Sequence, residues 1–499
     1  MSSRAILGIG IGLFTLPLLL FSQPRISDET QECIDCHISA TPGIVEDWKT
    51  SRHAQTSPAQ ARNKNPLERR VSSDDIPGNL AKRVVGCFEC HSQNADVHQD
   101  NFEHFGYEIN VVVSPNDCQT CHAREVAEYS GSKKAFALDI LRENPLYSLL
   151  VNDITRMKDV DNGTIMPGKH SEHAKGQTCY ACHGTEVGVN GMLTIETDFD
   201  DIEVPDLTNW PNQGVGRINP DGSLGACTSC HPRHSFSIEI ARKPYTCGQC
   251  HLEPDVPAYN VYKESKHGNI FSSMGSKMDF ASVPWTVGRD IQAPTCATCH
   301  NSLLVTPEDD VIAERTHDFG ARLWVRIFGL PYSHPQPKEG NTWIIRNQDN
   351  LPLPTSFTGV PAEEYLIDPR EQAVRRNRMK GVCMSCHASS WAEKFISSID
   401  STNMLADQMV LSATKILQTI WDAGINDPAN PFNESLELLW VRQWLYYANS
   451  IRYASAMSGP DYAAFKNGWF DLTKNLKAME TSRDMQLTKR KGFLGIFKQ

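Results

Sequence analysis

A five-residue unit, Cys-x-x-Cys-His, repeats along this chain and uses every cysteine in it. The 499 residues include 16 cysteines, which form eight such units. The spacing is the attachment signature of c-type haem, in which two thiols form thioethers with the porphyrin and the following histidine ligates the iron. Zinc ribbons and disulfides are the alternatives, but neither requires a histidine directly after each cysteine pair. The units are Cys33–His37, Cys87–His91, Cys118–His122, Cys179–His183, Cys227–His231, Cys247–His251, Cys296–His300 and Cys383–His387.

The sequence therefore predicts eight covalently bound c-type haems. Two units lie within the short stretch 227–251, and the residues between them are too few to form a protein core. We therefore expect porphyrins to take the place of the core there. The predicted thioether-forming residues are Cys33, Cys36, Cys87, Cys90, Cys118, Cys121, Cys179, Cys182, Cys227, Cys230, Cys247, Cys250, Cys296, Cys299, Cys383 and Cys386. The predicted proximal iron ligands are His37, His91, His122, His183, His231, His251, His300 and His387.

The distribution of the units predicts a mainly α fold in two parts. A haem-packed multihaem cytochrome c domain with few strands is expected over residues 24–362, which hold seven units. A region of long helices with the eighth unit is expected over 363–485, followed by a basic tail over 486–499. Apolar stripes at helical spacing predict helices in 363–380, 390–424 and 433–457 and a last helix that ends near Met479. A helix-like run is also expected from His300 to Phe328, and 196–226 is expected to be a surface loop or an arm.

Residues 1–23 have the features of a targeting segment. A single basic residue, Arg4, precedes a mostly apolar run from Ala5 to Phe21. This pattern predicts either a secretory signal peptide or an uncleaved N-terminal anchor. Both imply export to the periplasm or an equivalent extracytoplasmic compartment, which is where c-type haem is attached. The net charge of −11 argues against nucleic acid as a partner and favours redox partner cytochromes that carry basic patches.

Histidines outside the units are numerous enough to give most irons a second ligand. Of 17 histidines, eight belong to the units and nine remain. An iron that only passes electrons favours two axial ligands, which keep its ligand set constant. An iron with a single ligand instead has an open face for a small molecule. It stays open which of His170 and His173 is a ligand and whether His98 is unused. The predicted distal ligands are His53, His104, His173, His234, His267, His317 and His334.

Several longer motifs give the chain a resemblance to the octahaem hydroxylamine oxidoreductase family. They are Asp47-WKTSRHA, Val113-SPNDCQTCH, Gly225-ACTSCHPRHSFS, Tyr262-KESKHG, Ala293-PTCATCH, Arg315-THDFGARL and Met457-SGPDYAAF. The resemblance implies seven haems with two histidine ligands and one five-coordinate catalytic haem, the fourth in the chain, on Cys179, Cys182 and His183. It also implies trimers or a hetero-oligomer with a related subunit. Members of the family oxidise hydroxylamine or hydrazine, or reduce nitrite and related nitrogen oxides.

The chain departs from the family at a proton-transfer pair. After the sixth haem unit the family pattern is Gly-Pro-Asp-His-Pro-Gln, whereas this chain has Glu-Pro-Asp-Val-Pro-Ala over 253–258. Asp255 therefore matches the aspartate on the distal side of the catalytic haem, and Val256 replaces a histidine that can move protons. In oxidative members a tyrosine also bonds covalently to that haem. The candidates here are Tyr446, Tyr447, Tyr453 and Tyr462, and the sequence does not choose among them.

Two functions are compatible with these features. In the first, His183 and Asp255 are the catalytic residues of an oxidoreductase that acts on hydroxylamine, nitrite, nitric oxide or hydrazine, and the other seven haems relay electrons. In the second, the chain is an electron-transfer subunit of a hydroxylamine-oxidoreductase-like complex, with impaired catalysis. Val256 motivates the second function. The environment of the His183 haem would distinguish the two.

Overall fold

The computed structural model describes residues 24–197 and 201–496, with side chains as far as residue 490. The predicted targeting segment 1–23 lies outside the described residues. Within the described part, helices dominate and the strands are short, so the prediction of a mainly α protein with few strands is confirmed. No helix of this part is long and apolar enough to cross a membrane.

Five of the eight cysteine units lie within helices, three of them in helices of five residues. Residues at i, i+3 and i+4 share one face of a helix, so a helical turn directs both thiols and the histidine of a unit to the same side. The helices α6, α11 and α16 consist of one unit alone. The helices of this part are α1 Asp28–Ala40, α2 Pro42–Thr50, α3 Arg52–Gln55, α4 Pro58–Arg62, α5 Gly78–Ala81, α6 Cys87–His91, α7 Pro115–Ser130, α8 Ala137–Glu143, α9 Pro145–Thr155, α10 Glu172–Gln177, α11 Cys179–His183, α12 Ile238–Arg242, α13 Pro244–Gly248, α14 Ala258–Glu264, α15 Lys266–Met274 and α16 Cys296–His300.

Serine side chains define where many of these helices begin. Ser27, Ser57 and Ser114 each accept a hydrogen bond from a backbone N–H in the first turn of the helix that follows. Such caps satisfy amide groups that have no partner inside the helix, and each contributes about 1 kcal/mol. The caps therefore allow very short helices to form between irregular segments.

The strands form small antiparallel hairpins and one three-stranded sheet. β1 pairs with β2, β3 with β4, β5 with β6 and β10 with β11, all antiparallel. β8 lies between β7 and β9, parallel to the first and antiparallel to the second. The strands are β1 Asn101–His104, β2 Tyr107–Asn110, β3 Lys158–Asp161, β4 Thr164–Pro167, β5 Gly188–Glu196, β6 Asp201–Thr208, β7 Trp285–Thr286, β8 Leu304–Val305, β9 Val311–Ala313, β10 Val325–Arg326 and β11 His334–Pro335.

Long helices at the C-terminal end build the largest apolar core. Its most buried side chains include Leu417, Ile420, Leu436, Trp440 and Leu472, each at most 1% exposed. The Trp440 indole donates a hydrogen bond to the Thr414 hydroxyl at 2.9 Å, which satisfies its only polar group inside this core. The helices are α17 Pro369–Met384, α18 Ser389–Asp422, α19 Ser435–Val441, α20 Asn449–Met457, α21 Pro460–Ala464 and α22 Trp469–Ile496, and a π-helical segment, Arg442–Ala448, joins α19 to α20.

Two local predictions are wrong. The run from His300 to Phe328 is not helical, because it contains β8, β9 and β10. The last helix does not end near Met479 but continues to Ile496, through most of the predicted basic tail. No glycine or proline occurs from Trp469 to Lys491, so nothing in that stretch ends the helix. The predicted arm is present in part, as the hairpin formed by β5 and β6.

The bundle core provides a direct test of the fold. Leu417 on α18 is fully buried, whereas Leu405 on the same helix is 48% exposed. We expect Leu417→Ala to lower the free energy of unfolding by about 2–5 kcal/mol, because it removes buried methyl groups and leaves a cavity. Leu405→Ala should change it by less than about 0.5 kcal/mol. Denaturant titrations of the two purified holoproteins check this, and equal losses would contradict the packing described.

Candidate functional site

Cysteine units that are distant in sequence are neighbours in space. Three thiol pairs from different units are in hydrogen-bonding contact: Cys118 with Cys227, Cys182 with Cys250, and Cys247 with Cys296. Other pairs lie close enough to influence each other electrostatically. They are Cys33 with Cys87, Cys90 with Cys121, Cys230 with Cys247, and Cys299 with Cys383.

None of the 16 cysteines is paired with another in a disulfide, so the disulfide alternative has no support. Among the described residues there is also no group of three or more histidine, cysteine or acidic side chains arranged around one metal ion.

Four histidines of the units face a histidine from elsewhere in the chain. The distances between ring centroids are 6.1–6.5 Å in every case. Imidazole nitrogens bind metals at about 2 Å, so two rings on opposite sides of one iron have centroids roughly 6 Å apart. The residues therefore fit a haem iron held between each pair. The pairs are His37 with His104, His53 with His122, His91 with His234, and His267 with His387.

Two more predicted distal ligands have suitable surroundings without a facing ring at this distance. His317 lies in electrostatic contact with His231, the histidine of the fifth unit. His334 is buried, and its Nδ1 donates to the Pro335 carbonyl oxygen at 2.7 Å. Its Nε2 is buried without a hydrogen-bond partner. A ring fixed through Nδ1 with a free Nε2 is the usual state of a metal-binding histidine.

Three other histidines outside the units, His98, His170 and His173, do not face a unit histidine in the described part of the chain. His170 and His173 are exposed near and on α10, and His170 contacts the Arg156 guanidinium. No facing histidine ring is found for the predicted ligand His173 in the described part of the chain. His98 is buried, with Nδ1 bonded to Asp100 at 3.0 Å and Nε2 to Asp117 at 3.3 Å. Since both of its nitrogens are occupied, His98 has no lone pair for iron.

The fourth unit forms the centre of the candidate active site. On α11, the His183 Nδ1 donates to the Ala137 carbonyl oxygen on α8 at 2.9 Å, which leaves Nε2 for iron. Burial lowers the pKa of His183, so the ring stays neutral as ligation requires. No histidine ring lies against it within the described residues, in contrast to the four facing pairs. His231, His251 and His300 also lack a facing ring at this distance, so the feature that sets the fourth unit apart from these three is the carboxyl group near His183, that of Asp255.

Asp255, which the family resemblance suggested as a catalytic residue, lies near the same unit. Its carboxylate interacts electrostatically with Cys179, Cys182 and His183 of the fourth unit. Burial raises the pKa of Asp255. A carboxyl group with a raised pKa is suited to exchange protons with a neighbouring ligand. Val256 follows it and has no group that can take part.

A buried amide ties the loop of Asp255 to the C-terminal helices. Asn449, the first residue of α20, is completely buried. Its Nδ2 donates to the carbonyl oxygens of Asp255 at 3.3 Å and Leu445 at 2.8 Å. Its Oδ1 accepts from the Gly329 N–H at 3.1 Å and from Arg452 at 2.9 Å. Sequence reasoning missed Asn449, since a single asparagine in a helical pattern carries no signal of such a role.

The four candidate tyrosines separate into two groups. Tyr446 and Tyr453 interact electrostatically with Asp255, and burial raises the pKa of both. Tyr447 is part of the bundle core, and the Tyr462 hydroxyl donates to Glu253 at 3.3 Å. Tyr446 lies in the π-helical segment, a type of helix distortion that is frequent at functional sites. Two of the four are thus close to the candidate site within one chain.

Comparisons with known proteins agree with this arrangement. Residues 221–309 match the family model "Seven times multi-haem cytochrome CxxCH", and residues 32–110 and 117–203 match "Cytochrome c554 and c-prime". A solved hypothetical multiheme protein is 43% identical, with a TM-score of 0.88 over 94% of this chain and 98% of its own. The fold and the site thus define a multihaem c-type cytochrome.

Two proteins of Kuenenia stuttgartiensis are more distant relatives. A probable nitrite reductase-hydroxylamine oxidoreductase fusion protein is 22% identical over 415 residues, which are 80% of this chain and 38% of that protein. This chain therefore matches well under half of that relative's length. A reducing HAO-like protein complex shares the fold at 19% identity, with a TM-score of 0.60 over 94% of this chain and 87% of the other. The chain belongs to the multihaem c-type cytochromes, as the 43% identical multiheme protein shows.

His98 allows a test of structure that is independent of haem chemistry. Burial alone would lower its pKa, but hydrogen bonds to Asp100 and Asp117 raise the pKa of His98 to about 10. His98→Leu leaves both buried carboxylates without their cation, and we expect it to lower the free energy of unfolding by about 3–5 kcal/mol. Gln99→Leu, at the exposed neighbouring position, should have little effect.

The pH dependence of this stability difference follows from the raised pKa of His98. The folded-state pKa of His98 is above its ordinary value of 6.5, so its contribution is complete below about pH 6.5 and is lost as the pH rises through about 10. The difference in stability between wild type and His98→Leu should therefore narrow above pH 10. Denaturant titrations at several pH values measure it, and a difference that grows with pH would contradict the ion pairs.

Proposed function

We propose that this chain is an octahaem c-type cytochrome that carries out redox chemistry on a small nitrogen compound at its fourth unit. The substrate would be hydroxylamine, nitrite, nitric oxide or hydrazine, and the other seven haems would relay electrons. One observation supports this proposal most strongly. Of the four unit histidines without a facing ring among the described residues, His183 has a half-buried carboxyl group, Asp255, as its neighbour.

The residues of the fourth unit have separate roles in this proposal. When bound, c-type haem supplies a redox-active iron that can bind a small nitrogen ligand. The Ala137 carbonyl fixes the tautomer and orientation of His183. Asp255 holds or releases a proton at its carboxyl group, which a multi-electron change at nitrogen requires. Asn449 fixes the backbone of Asp255, so the position of this carboxyl group depends on the C-terminal helices.

The contacts between thiols support an order for the relay. They connect the first unit to the second, the second to the third, the third to the fifth, and the fifth to the sixth. The sixth unit contacts the seventh, the seventh lies near the eighth, and the fourth contacts only the sixth among these pairs. We propose that the fourth unit branches from a continuous series. Seven predicted distal ligands, His53, His104, His173, His234, His267, His317 and His334, would complete the irons of that series.

Val256 favours a second function, that of an electron-transfer subunit. If the missing histidine is essential, the chain acts as an electron-transfer subunit and a related protein carries out catalysis. The relative in Kuenenia stuttgartiensis that is described as a reducing HAO-like protein complex makes a hetero-oligomer of this kind a reasonable expectation. In either case we propose an exported protein that exchanges electrons with partner cytochromes.

Nitric oxide titration of the reduced holoprotein tests the proposed function. We expect one haem in eight to bind nitric oxide, because the proposal gives seven irons two histidine ligands and leaves the iron of the fourth unit open. In His104→Ala, which removes the ring facing His37, a second haem should bind. Absorption and electron paramagnetic resonance spectra count the nitrosyl haems. If no haem of the wild type binds nitric oxide, the catalytic proposal fails and the electron-transfer function takes its place.

We propose that an exposed hairpin is the place where this chain would associate with another subunit. All residues of β3 and β4 are exposed, and Asn162-Gly163 forms the turn between them. Val160 is 65% exposed and Ile165 is 70% exposed. A two-stranded hairpin with exposed apolar side chains gains stability by contact with another protein. We propose that it docks on a related chain, because the similar fold occurs in a solved complex of two HAO-like proteins.

The hairpin can be tested without disturbing the core. Val160→Asp/Ile165→Asp places charges on the proposed contact, and we expect the assembly to dissociate into smaller species. Ile240→Asp, at an exposed position of α12, is the matched control and should leave the assembly unchanged. Sedimentation velocity of the holoproteins measures the distribution. An unchanged distribution for the double variant would exclude the hairpin from the interface.

A further inference from the structure

Arg326 is a cation near the fourth unit, and the family resemblance assigns it no role. It lies on β10, directly opposite His334 of β11 in the register of the hairpin. Its side chain is half-buried, and desolvation by the surrounding protein lowers its pKa. Its guanidinium lies 5.7 Å from the ring centroid of Phe328. Within the described residues, no carboxylate forms an ion pair with it.

The surroundings place Arg326 at the fourth unit. It is in electrostatic contact with His183 of that unit, with Tyr453 and with Tyr147. Tyr453 is in turn in contact with Asp255. The fixed amide of Asn449 binds both the Asp255 carbonyl and the Gly329 N–H, three residues after Arg326. One side chain thus holds together the two segments that carry Asp255 and Arg326.

A half-buried guanidinium favours a nearby anion, and no carboxylate of the described residues forms an ion pair with Arg326. An uncompensated buried charge is costly, so such a group is normally paired. Lys133 lies nearby and adds positive charge. Asp255 compensates poorly, because burial favours its neutral form. Two anions could serve: a haem propionate or the substrate itself.

The planar shape of the Arg326 guanidinium favours a planar oxyanion as the substrate. A guanidinium offers parallel N–H donors that match two oxygens of one planar anion. Nitrite has this form, whereas hydroxylamine and hydrazine are neutral or cationic and have no negative oxygen pair. We propose that Arg326 determines the specificity of the fourth unit by binding a small planar oxyanion of the nitrite class. This inference rests on the proposed function, since it requires an open position at His183.

Nitrite binding to the oxidised, full-length holoprotein tests the proposal. We expect Arg326→Gln to weaken nitrite binding by roughly 10- to 100-fold, the effect of losing hydrogen bonds to a charged group. Arg326→Lys keeps the charge but not the paired donors, and it should have an intermediate effect. Binding of neutral hydroxylamine should change by less than about threefold. Arg378→Gln, an exposed arginine on α17, controls for net charge and should bind nitrite as wild type does.

The outcomes separate this inference from the proposed function. If wild type binds nitric oxide but Arg326→Gln binds nitrite normally, the open site stands and the role of Arg326 is refuted. If nitrite and hydroxylamine binding fall equally, Arg326 only maintains structure, and the proposal is also refuted. A changed midpoint potential of one haem with unchanged nitrite affinity would assign Arg326 to a propionate instead. If wild type binds no nitric oxide, the proposed function is refuted, and the proposed role of Arg326 is refuted with it.

Discussion

The geometry of one helical turn is the constraint on which this structure depends. Two thiols at i and i+3 and an imidazole at i+4 must all face one porphyrin, and a helical turn places them there. Because each unit needs only five residues, the chain can bring units together at short intervals. The thiol contacts between remote units, such as Cys118 with Cys227, show that these turns are packed against one another and are not separated by layers of protein. The largest apolar core consequently lies in the C-terminal helices, and smaller clusters, such as the one around Phe280 and Trp285, lie between the units.

The C-terminal helical bundle also positions residues around the fourth unit. The amide of Asn449 is fully buried and makes four hydrogen bonds, two of which reach the loops of Asp255 and Gly329. A buried amide with all of its hydrogen bonds made resists displacement, since moving it would leave several polar groups unsatisfied. The π-helical segment directly before Asn449 carries Tyr446 towards the same site. The conventional core therefore fixes the position of the groups around the fourth unit, which has little packed structure of its own.

Sequence reasoning succeeded where covalent chemistry sets the spacing and failed where tertiary contacts decide. The attachment pattern predicted the class of protein and the mainly α fold, and long apolar stripes predicted α17 and α18. The run from His300 to Phe328 was taken for a helix because its short apolar segments do not distinguish a strand from a helical turn. The roles of Asn449 and Arg326 could not be found, because each depends on a partner more than a hundred residues away in sequence. The prediction that Asp255 lies near His183 came from the family resemblance, and the electrostatic contact between them agrees with it.

The replacement at Val256 changes the electrostatics of the site as well as its proton transfer. A histidine there could become a cation beside the substrate, and Val256 removes that possibility. Arg326 instead carries a positive charge that persists at any physiological pH. A site with a titratable cation suits substrates that release protons during oxidation, whereas a permanent cation suits a substrate that arrives as an anion and consumes protons when reduced. In this chain the proton and the charge are assigned to different groups, the carboxyl of Asp255 and the guanidinium of Arg326. In terms of the proposed function, the replacement by Val256 of the histidine found in the resembling family fits a changed preference for substrate rather than a loss of catalysis.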